Sequence, residues 1–233
     1  MKVLIPRLSG NQIKSLVYLV AITVVMVILL FSEADVPGRD TELIVDYLVG
    51  FAHIPNTVTS VILGTRLFDT IGEVTVFTIA GLGVKILLHD EEEESEFIVV
   101  QDPILVMLLD FAALLTAFLA IDLALKGHLT PGGGFASGVS GATSITLLMV
   151  TGRLKQVEQF YFKSNAAALE KFAVICFVFV ALATFIGFVE PASVFGEISP
   201  EIYIPALNII AALKVTIGSW SILRFFILTR GLM

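Results

Sequence analysis

Six apolar windows, each close to the length that crosses a bilayer, constrain the fold of this chain more than any other feature. They fall near residues 14–31, 69–88, 103–126, 135–152, 170–189 and 205–227. An α-helix of about 20 apolar residues spans the roughly 30 Å hydrocarbon core of a membrane. Because a spanning segment must satisfy its own backbone hydrogen bonds, the windows predict an all-α, polytopic transmembrane protein of about six helices.

The composition favours the same class of protein. Hydrophobic residues make up 57% of the chain and charged residues only 15%, against about 25% charged in soluble domains. The first window is followed by Ser32-Glu33-Ala34-Asp35, which is not a small-residue cleavage site, so we expect a retained membrane anchor. The net charge of −7 argues against a nucleic-acid partner. The single cysteine, Cys176, excludes a disulfide or thiolate cluster within the chain.

The distribution of Lys and Arg predicts the orientation of the helices. With the N-terminus inside, the inner ends of the windows carry Lys2, Arg7, Lys14, Lys85, Arg153, Lys155, Lys163, Lys171, Arg224 and Arg230, and the outer ends carry only Arg39, Arg66 and Lys126. Both termini are therefore predicted to be cytoplasmic. Residues 33–53 should form an outer connection with a short interfacial helix, and residues 153–169 an amphipathic segment on the inner surface.

An acidic run at residues 90–96 divides the chain. Repeated like charge keeps such a run out of the bilayer and in water. We therefore predict a two-helix module at residues 1–96 and a four-helix domain at residues 97–233. Nothing holds these carboxylates in a cage, so we interpret the run as a linker or partner-facing segment and expect no metal site there.

A glycine-rich stretch, Gly127-His128-Leu129-Thr130-Pro131-Gly132-Gly133-Gly134-Phe135, separates the third and fourth windows. Glycine supplies unusual backbone angles and proline cannot continue a helix, so Pro131 and Gly132 to Gly134 predict a structural turn on the outer face. The small residues that follow should let the next helix pack close to a neighbour. His128, at the negative end of a helix dipole, has either a local hydrogen-bonding role or a role as proton relay.

Charged residues also enter the second window. Arg66, Asp69, Thr70 and Glu73 are spaced so that they share one helical face. A charge near the bilayer centre costs at least about 2.5 kcal/mol, so it needs a partner or a function. Asp69 either pairs with Arg66 at the membrane rim or contributes to an ion path together with Glu73. Because Glu73 lies deeper, we predict that it takes part in the passage of a proton or cation, with Na+ held transiently near both carboxylates.

Three further charges lie in the later windows. Lys214, near the middle of the last window, is at a depth similar to that of Glu73, so we hypothesise that the two interact directly or through water; the alternative is that Lys214 reaches to an interface. Asp110, about 10 Å below the inner surface by helix rise, must be protonated or find a partner on another helix. Asp122 has Lys126 one turn later, which predicts a surface ion pair.

Signatures of catalysis are missing from the sequence. The triple glycine is followed by Phe135 rather than by the Gly-Lys-Ser/Thr ending of a phosphate-binding loop, and no dinucleotide, haem or iron–sulfur pattern occurs. We therefore expect no cofactor and no enzymatic activity of the chain by itself.

The glycine-rich stretch, with the small-residue helix after it, resembles the signature of the MnhB-type subunits of multisubunit Na+/H+ antiporters, the Mrp or Mnh complexes. The segment Ile204-Pro205-Ala206-Leu207-Asn208-Ile209, with Lys214-Val215 beyond it, is similar to the last helix of that family. Two segments of the first module resemble the C-terminal end of the large subunit of those antiporters: Arg66-Leu67-Phe68-Asp69-Thr70-Ile71-Gly72-Glu73 and Ala80-Gly81-Leu82-Gly83-Val84. In archaeal membrane-bound hydrogenases and sulfane-sulfur reductases, that end is a separate small protein.

The resemblance implies a multi-pass cell-membrane protein that acts within a larger hetero-oligomeric complex exchanging Na+ for H+. Its partners would be antiporter-type membrane subunits and a redox arm like that of a hydrogenase or sulfur reductase. The resemblance associates Asp69, Thr70 and Glu73 with the ion path, and Pro131 to Gly134 with structure. Two other interpretations stay open: a purely structural scaffold within the complex, and an independent small transporter.

Overall fold

The computed structural model describes residues 52–89, 100–189 and 198–230, with the isolated positions Val20, Leu43, Asp46, Tyr47 and Gly50. The predicted first span at 14–31, most of the connection at 33–53 and the acidic run at 90–96 lie outside the described residues. The chain divides into two compact units, residues 1–44 and 45–233, and the helices described below belong to the second. The boundary expected between residues 96 and 97 stays a prediction.

Six helices make up most of the described chain: α1 Leu67–Leu87, α2 Pro103–Lys126, α3 Gly134–Leu148, α4 Leu154–Lys163, α5 Ala166–Val189 and α6 Pro200–Arg230. Two short turns precede α1: the helical turn Thr57–Ser60 and the π-helical turn Val61–Thr65. A second π-helical turn, Met149–Arg153, joins α3 to α4. Five helical segments, Leu67–Leu87, Pro103–Lys126, Gly134–Lys163, Ala166–Val189 and Pro200–Leu228, are long and apolar enough to cross a membrane. The predicted all-α polytopic fold is confirmed, whereas the orientation of the termini stays a prediction.

Local sequence sets where α2 begins and where α3 follows it. Asp102 caps α2: its Oδ1 accepts hydrogen bonds from the backbone N–H groups of Ile104 at 2.8 Å and Leu105 at 3.3 Å. Beyond α2, Gly132 has φ 144° and Gly133 has φ 103°. These left-handed angles are open to glycine without steric penalty, so the turn is found where the glycine-rich stretch predicted it.

The central helix of the described bundle is α6. It packs against α1, α2, α3 and α5, and half of its most apolar window is buried inside the protein. Its contact with α5 is a close apolar seam in which Phe177 and Ala181 of α5 share one core with Ile204, Leu207 and Ala211 of α6. α2 is buried much less than α6, since Ala113 is its one buried residue. α6 is therefore the helix on which buried polar groups can meet several neighbours.

The small residues of α3 face two neighbours. A Cβ atom on Gly134 would lie 2.8 Å from the Cβ of Ala211, and one on Gly141 would lie 2.8 Å from Oγ1 of Thr216, so α3 touches α6 at its glycines. The serines face α2 and donate hydrogen bonds to its carbonyls: Ser137 to Ala120 at 2.6 Å, Ser140 to Thr116 at 2.8 Å and Ser144 to Ala113 at 2.7 Å. The predicted close approach is confirmed, and α3 is held between α2 and α6.

A short amphipathic helix, α4, connects α3 to α5. The chain changes direction at Gly152, whose φ of 90° is not helical. Leu154 and Tyr161 are buried, whereas Lys155 and Lys163 are exposed. The amphipathic character predicted for this region is confirmed, and its position on the inner surface stays a prediction.

Candidate functional site

A buried ion pair joins two helices in the interior of the bundle. Lys214, near the middle of α6, is only 1% exposed, and its Nζ lies 3.0 Å from Oε1 of Glu170 on α5. The same ammonium lies 4.3 Å from the ring centroid of Phe77 on α1, where the π-face attracts a cation. Three helices therefore contribute to one polar site inside an apolar protein.

Gly218 provides the space for this site. A Cβ atom there would lie 2.7 Å from Cε1 of Phe77, 2.9 Å from Oε1 of Glu170 and 3.1 Å from Nζ of Lys214. A side chain at this position would displace all three groups. The two charges differ in access, because the Glu170 side chain is 20% exposed while Lys214 is sealed. Of the two charged groups, the carboxylate is therefore the more accessible one.

The carboxylate partner of Lys214 differs from the predicted one. The direct ion pair predicted between Glu73 and Lys214 is wrong, since Lys214 pairs with Glu170 instead, whereas an interaction of the two through water stays a prediction. Glu73 is exposed on α1, and among the described residues it has no hydrogen-bond or ion-pair partner. Counting depth along each helix could not choose between carboxylates on different helices, and Glu170 lies at the edge of its apolar window. The only sign of Glu170 in the sequence was an acidic residue at the first position of an apolar window.

The polar residues at the start of α1 do not form one site. Arg66 and Asp69 pair at the rim, with Nη2 and Oδ2 2.6 Å apart and both side chains more than half exposed. Thr70 is buried and donates to the carbonyl of Ile62 at 3.1 Å. The rim ion pair weighed for Asp69 is therefore present, and Thr70 faces inward while Asp69 and Glu73 face outward.

Asp110 has partners beyond its own helix. Its Oδ2 lies 2.6 Å from Nη2 of Arg153, and its Oδ1 accepts a hydrogen bond from Thr151 Oγ1 at 3.1 Å. This confirms the alternative in which Asp110 finds a partner on another element. Both partners belong to the π-helical turn after α3, so the pairing depends on the change of direction there. The predicted ion pair of Asp122 with Lys126 is also present.

Two asparagines hold the glycine-rich turn and the end of α2 that precedes it. Asn56, just before the helical turn Thr57–Ser60, donates through Nδ2 to the carbonyls of Gly127 at 2.8 Å and Thr130 at 2.7 Å. On the α6 side, the fully buried Asn208 donates through Nδ2 to the carbonyl of Ala124 at 2.7 Å. Nδ1 of His128 is buried and has no hydrogen-bond partner among the described residues. The geometry supports the structural role of the turn, and the proton-relay role of His128 stays a prediction.

Comparisons with known proteins agree with this architecture. A family model described as a domain related to the MnhB subunit of Na+/H+ antiporter matches residues 104–221. A chain in the structure of the membrane-bound sulfane sulfur reductase (MBS), an archaeal respiratory membrane complex, is 23% identical with a TM-score of 0.63, and the match covers 92% of this chain and 98% of that one.

A chain of the Mrp complex from Dietzia sp. DQ12-45-1b is 18% identical with a TM-score of 0.65. The match covers 95% of this chain but 26% of the Dietzia chain, so this protein spans about a quarter of that length. No curated protein matches the chain significantly in sequence. Both structural neighbours share the fold, and the family model covers half of the chain. The protein therefore belongs to the family of membrane domains related to the MnhB subunit of Na+/H+ antiporters.

Proposed function

We propose that this multi-pass membrane protein is a subunit of a Na+/H+ antiporter module and that the Lys214–Glu170 ion pair lies on the ion path. The observation that carries the proposal is a fully buried ammonium near the middle of a spanning helix, 3.0 Å from a carboxylate whose side chain is 20% exposed. Membership of the MnhB-related family supports the antiporter setting. Buried ionisable groups in spanning helices are functional-site candidates because they are costly to keep there.

The pair has the chemistry to couple a proton to a second cation. A proton that reaches Glu170 neutralises the carboxylate and leaves the Lys214 ammonium without its counter-charge. The uncompensated positive charge then repels a cation from the site, and loss of the proton removes this repulsion and frees the carboxylate oxygens to bind a cation. Proton occupancy and cation occupancy would thereby exclude each other, which is the requirement for exchange.

The other predicted path residues have different places in this proposal. Glu73 and Asp69 lie on the exposed face of α1. They can line an ion path only where another membrane protein of the complex packs against this face, and Na+ would then bind transiently near the two carboxylates. Asp110 and His128 stay candidates for the same path. We propose antiporter-type subunits as the partners, together with a redox arm like that of a sulfur reductase, and no catalytic activity of this chain alone.

A structural scaffold is the second candidate function, and the ion pairs themselves favour it. Asp110 to Arg153, Glu158 to Arg224 and Glu170 to Lys214 each join different elements of the fold. Such pairs fix the register of packed helices while other subunits carry the ions. The two functions differ in what they require of the charges at Lys214 and Glu170.

The double variant Lys214→Met/Glu170→Gln separates the two functions, because it removes both charges and nearly keeps the volumes. Replacing a whole buried pair by hydrophobic residues of similar volume is often neutral or stabilising. Met at position 214 meets that condition, and the amide at position 170 keeps the partial exposure of the Glu170 side chain, so we expect normal assembly of the complex. We expect Na+-driven proton movement to fall by about 100-fold, the usual scale for removing a proton-transferring group. The measurements are a pH-sensitive dye in everted membrane vesicles for transport and a native gel for assembly.

The matched control is Asp122→Asn/Lys126→Gln, which removes an ion pair whose two side chains are about half exposed. This control should assemble and transport like the wild type. Normal transport by the Lys214→Met/Glu170→Gln variant would refute the ion-path proposal and support the scaffold.

A further inference from the structure

In residues 153–172 the two carboxylates face the interior of the protein, whereas three lysines lie on its surface. Glu158 and Glu170 are each engaged by a cation of α6, at 2.6 and 3.0 Å. Lys155, Lys163 and Lys171 are exposed, and none of the three has an ion-pair partner among the described residues. A segment of mixed charge in the sequence therefore presents a cationic outer surface. Because both carboxylates are turned inward, nothing within the segment neutralises these lysines.

Contacts with α6 fix which face of α4 points outward. Tyr161 is buried and lies edge-on to Trp220 with the ring centroids 4.9 Å apart, and its hydroxyl donates to Oγ of Ser221 at 3.4 Å. The guanidinium of Arg224 lies 4.9 Å from the ring centroid of Phe162. These contacts prevent α4 from rotating about its own axis, so its exposed face is defined.

The exposed face of α4 has the layout of a helix at a bilayer interface. Residues of an α-helix follow at 3.6 per turn, which places Lys155 and Lys163 opposite the buried Tyr161. Phe160 and Phe162 lie on either side of the lysines, and both are 64% exposed. A cationic face bordered by apolar aromatic side chains is typical of helices that lie among phospholipid headgroups.

We propose that α4 and the first turns of α5 form a binding site for anionic phospholipids. Lys155, Lys163 and Lys171 contact the lipid phosphates, and Phe160 and Phe162 insert between the upper parts of the acyl chains. The bilayer is within reach because α4 continues a helical segment, Gly134–Lys163, that is long and apolar enough to span it. Each lysine near an anionic surface strengthens the association by about fivefold.

Quenching of a single tryptophan by brominated lipids tests the site in the full chain. Trp220 is the only tryptophan, so Trp220→Phe/Phe162→Trp places one reporter beside the lysines. In phosphatidylcholine vesicles, brominated phosphatidylglycerol should quench this reporter more strongly than brominated phosphatidylcholine. The preference should fall by up to about fivefold for each lysine replaced in the series Lys155→Gln, Lys163→Gln and Lys171→Gln.

A second reporter, Phe118→Trp in the Trp220→Phe background, is the matched control. Phe118 is 63% exposed on α2, and the two lipids should quench a tryptophan there equally, with or without the lysine substitutions. An unchanged Phe118→Trp signal also shows that α2 stays in the bilayer in the lysine variants. Equal quenching at position 162, or a preference that survives loss of all three lysines, would overturn the proposal. Loss of quenching at position 162 in the assembled complex would overturn it too, because another protein would then cover this face.

Discussion

Gly134→Ala tests whether the contact between α3 and α6 limits the stability of the bundle. The new methyl carbon would lie 2.8 Å from Cβ of Ala211 and 3.2 Å from the backbone N of Ala212, and it would meet the carbonyl oxygen of Asn208. Carbon atoms at optimal separation are about 3.5–4.0 Å apart, so α3 must move away from α6 by about 0.7 Å or more. Two of the opposing atoms are backbone, so a change of rotamer cannot relieve the clash. Overpacking of this kind costs about 1–3 kcal/mol.

The assay is thermal unfolding of the purified chain in detergent, followed by the fluorescence of Trp220. The expected cost corresponds to a Tm lower by roughly 2–12 °C for a chain of this size. Gly83→Ala is the control, because a Cβ atom there has nothing within 4 Å and alanine is the better helix former by about 1 kcal/mol; its Tm should be equal or higher. An unchanged Tm for Gly134→Ala, or equal losses in both variants, would refute the reasoning.

Two further substitutions probe polar contacts of very different burial. Asn208→Leu removes the hydrogen bonds from Nδ2 to the carbonyls of Leu123 and Ala124 and leaves these part-buried carbonyls without that donor. The free energy of unfolding should therefore fall by about 1–3 kcal/mol; urea unfolding in detergent measures it, and a loss below the error of the method would show that Asn208 does not hold the end of α2. Asp122→Asn breaks a half-exposed ion pair with Lys126 and should change stability by about 1 kcal/mol or less; a larger loss in the same assay would show that this pair is not a surface pair.

Ion pairs close in sequence were predictable, because their geometry is that of one helix. Asp122 and Lys126 are four residues apart, and Arg66 and Asp69 three, so the spacing alone places their side chains side by side. Both pairs are present in the structure. The turn at Gly132 was predictable for a related reason, since backbone sterics are also local.

The pairing of Lys214 was not predictable in the same way. Helical rise predicted Lys214 at mid-depth in its span, and Lys214 is buried near the middle of α6. The choice of Glu170 over Glu73 depends on how α1, α5 and α6 are rotated and offset. Similarly, Arg153 reaches Asp110 because of the kink at Gly152. A rotation of one helix about its axis changes which side chains face a neighbour without changing the sequence pattern.

By itself, the sequence determined that this protein is a helical membrane protein with a glycine-rich turn and costly charges in its spans. Bilayer solvation and backbone sterics act on each segment separately, so these features follow from each segment alone. Only the tertiary structure decided which charges on different helices meet: Glu158 and Glu170 turn inward to cations of α6, and the lysines of the same segment are left on the surface. Contacts between helices depend on rotation and offset, and the packing of the whole bundle sets both.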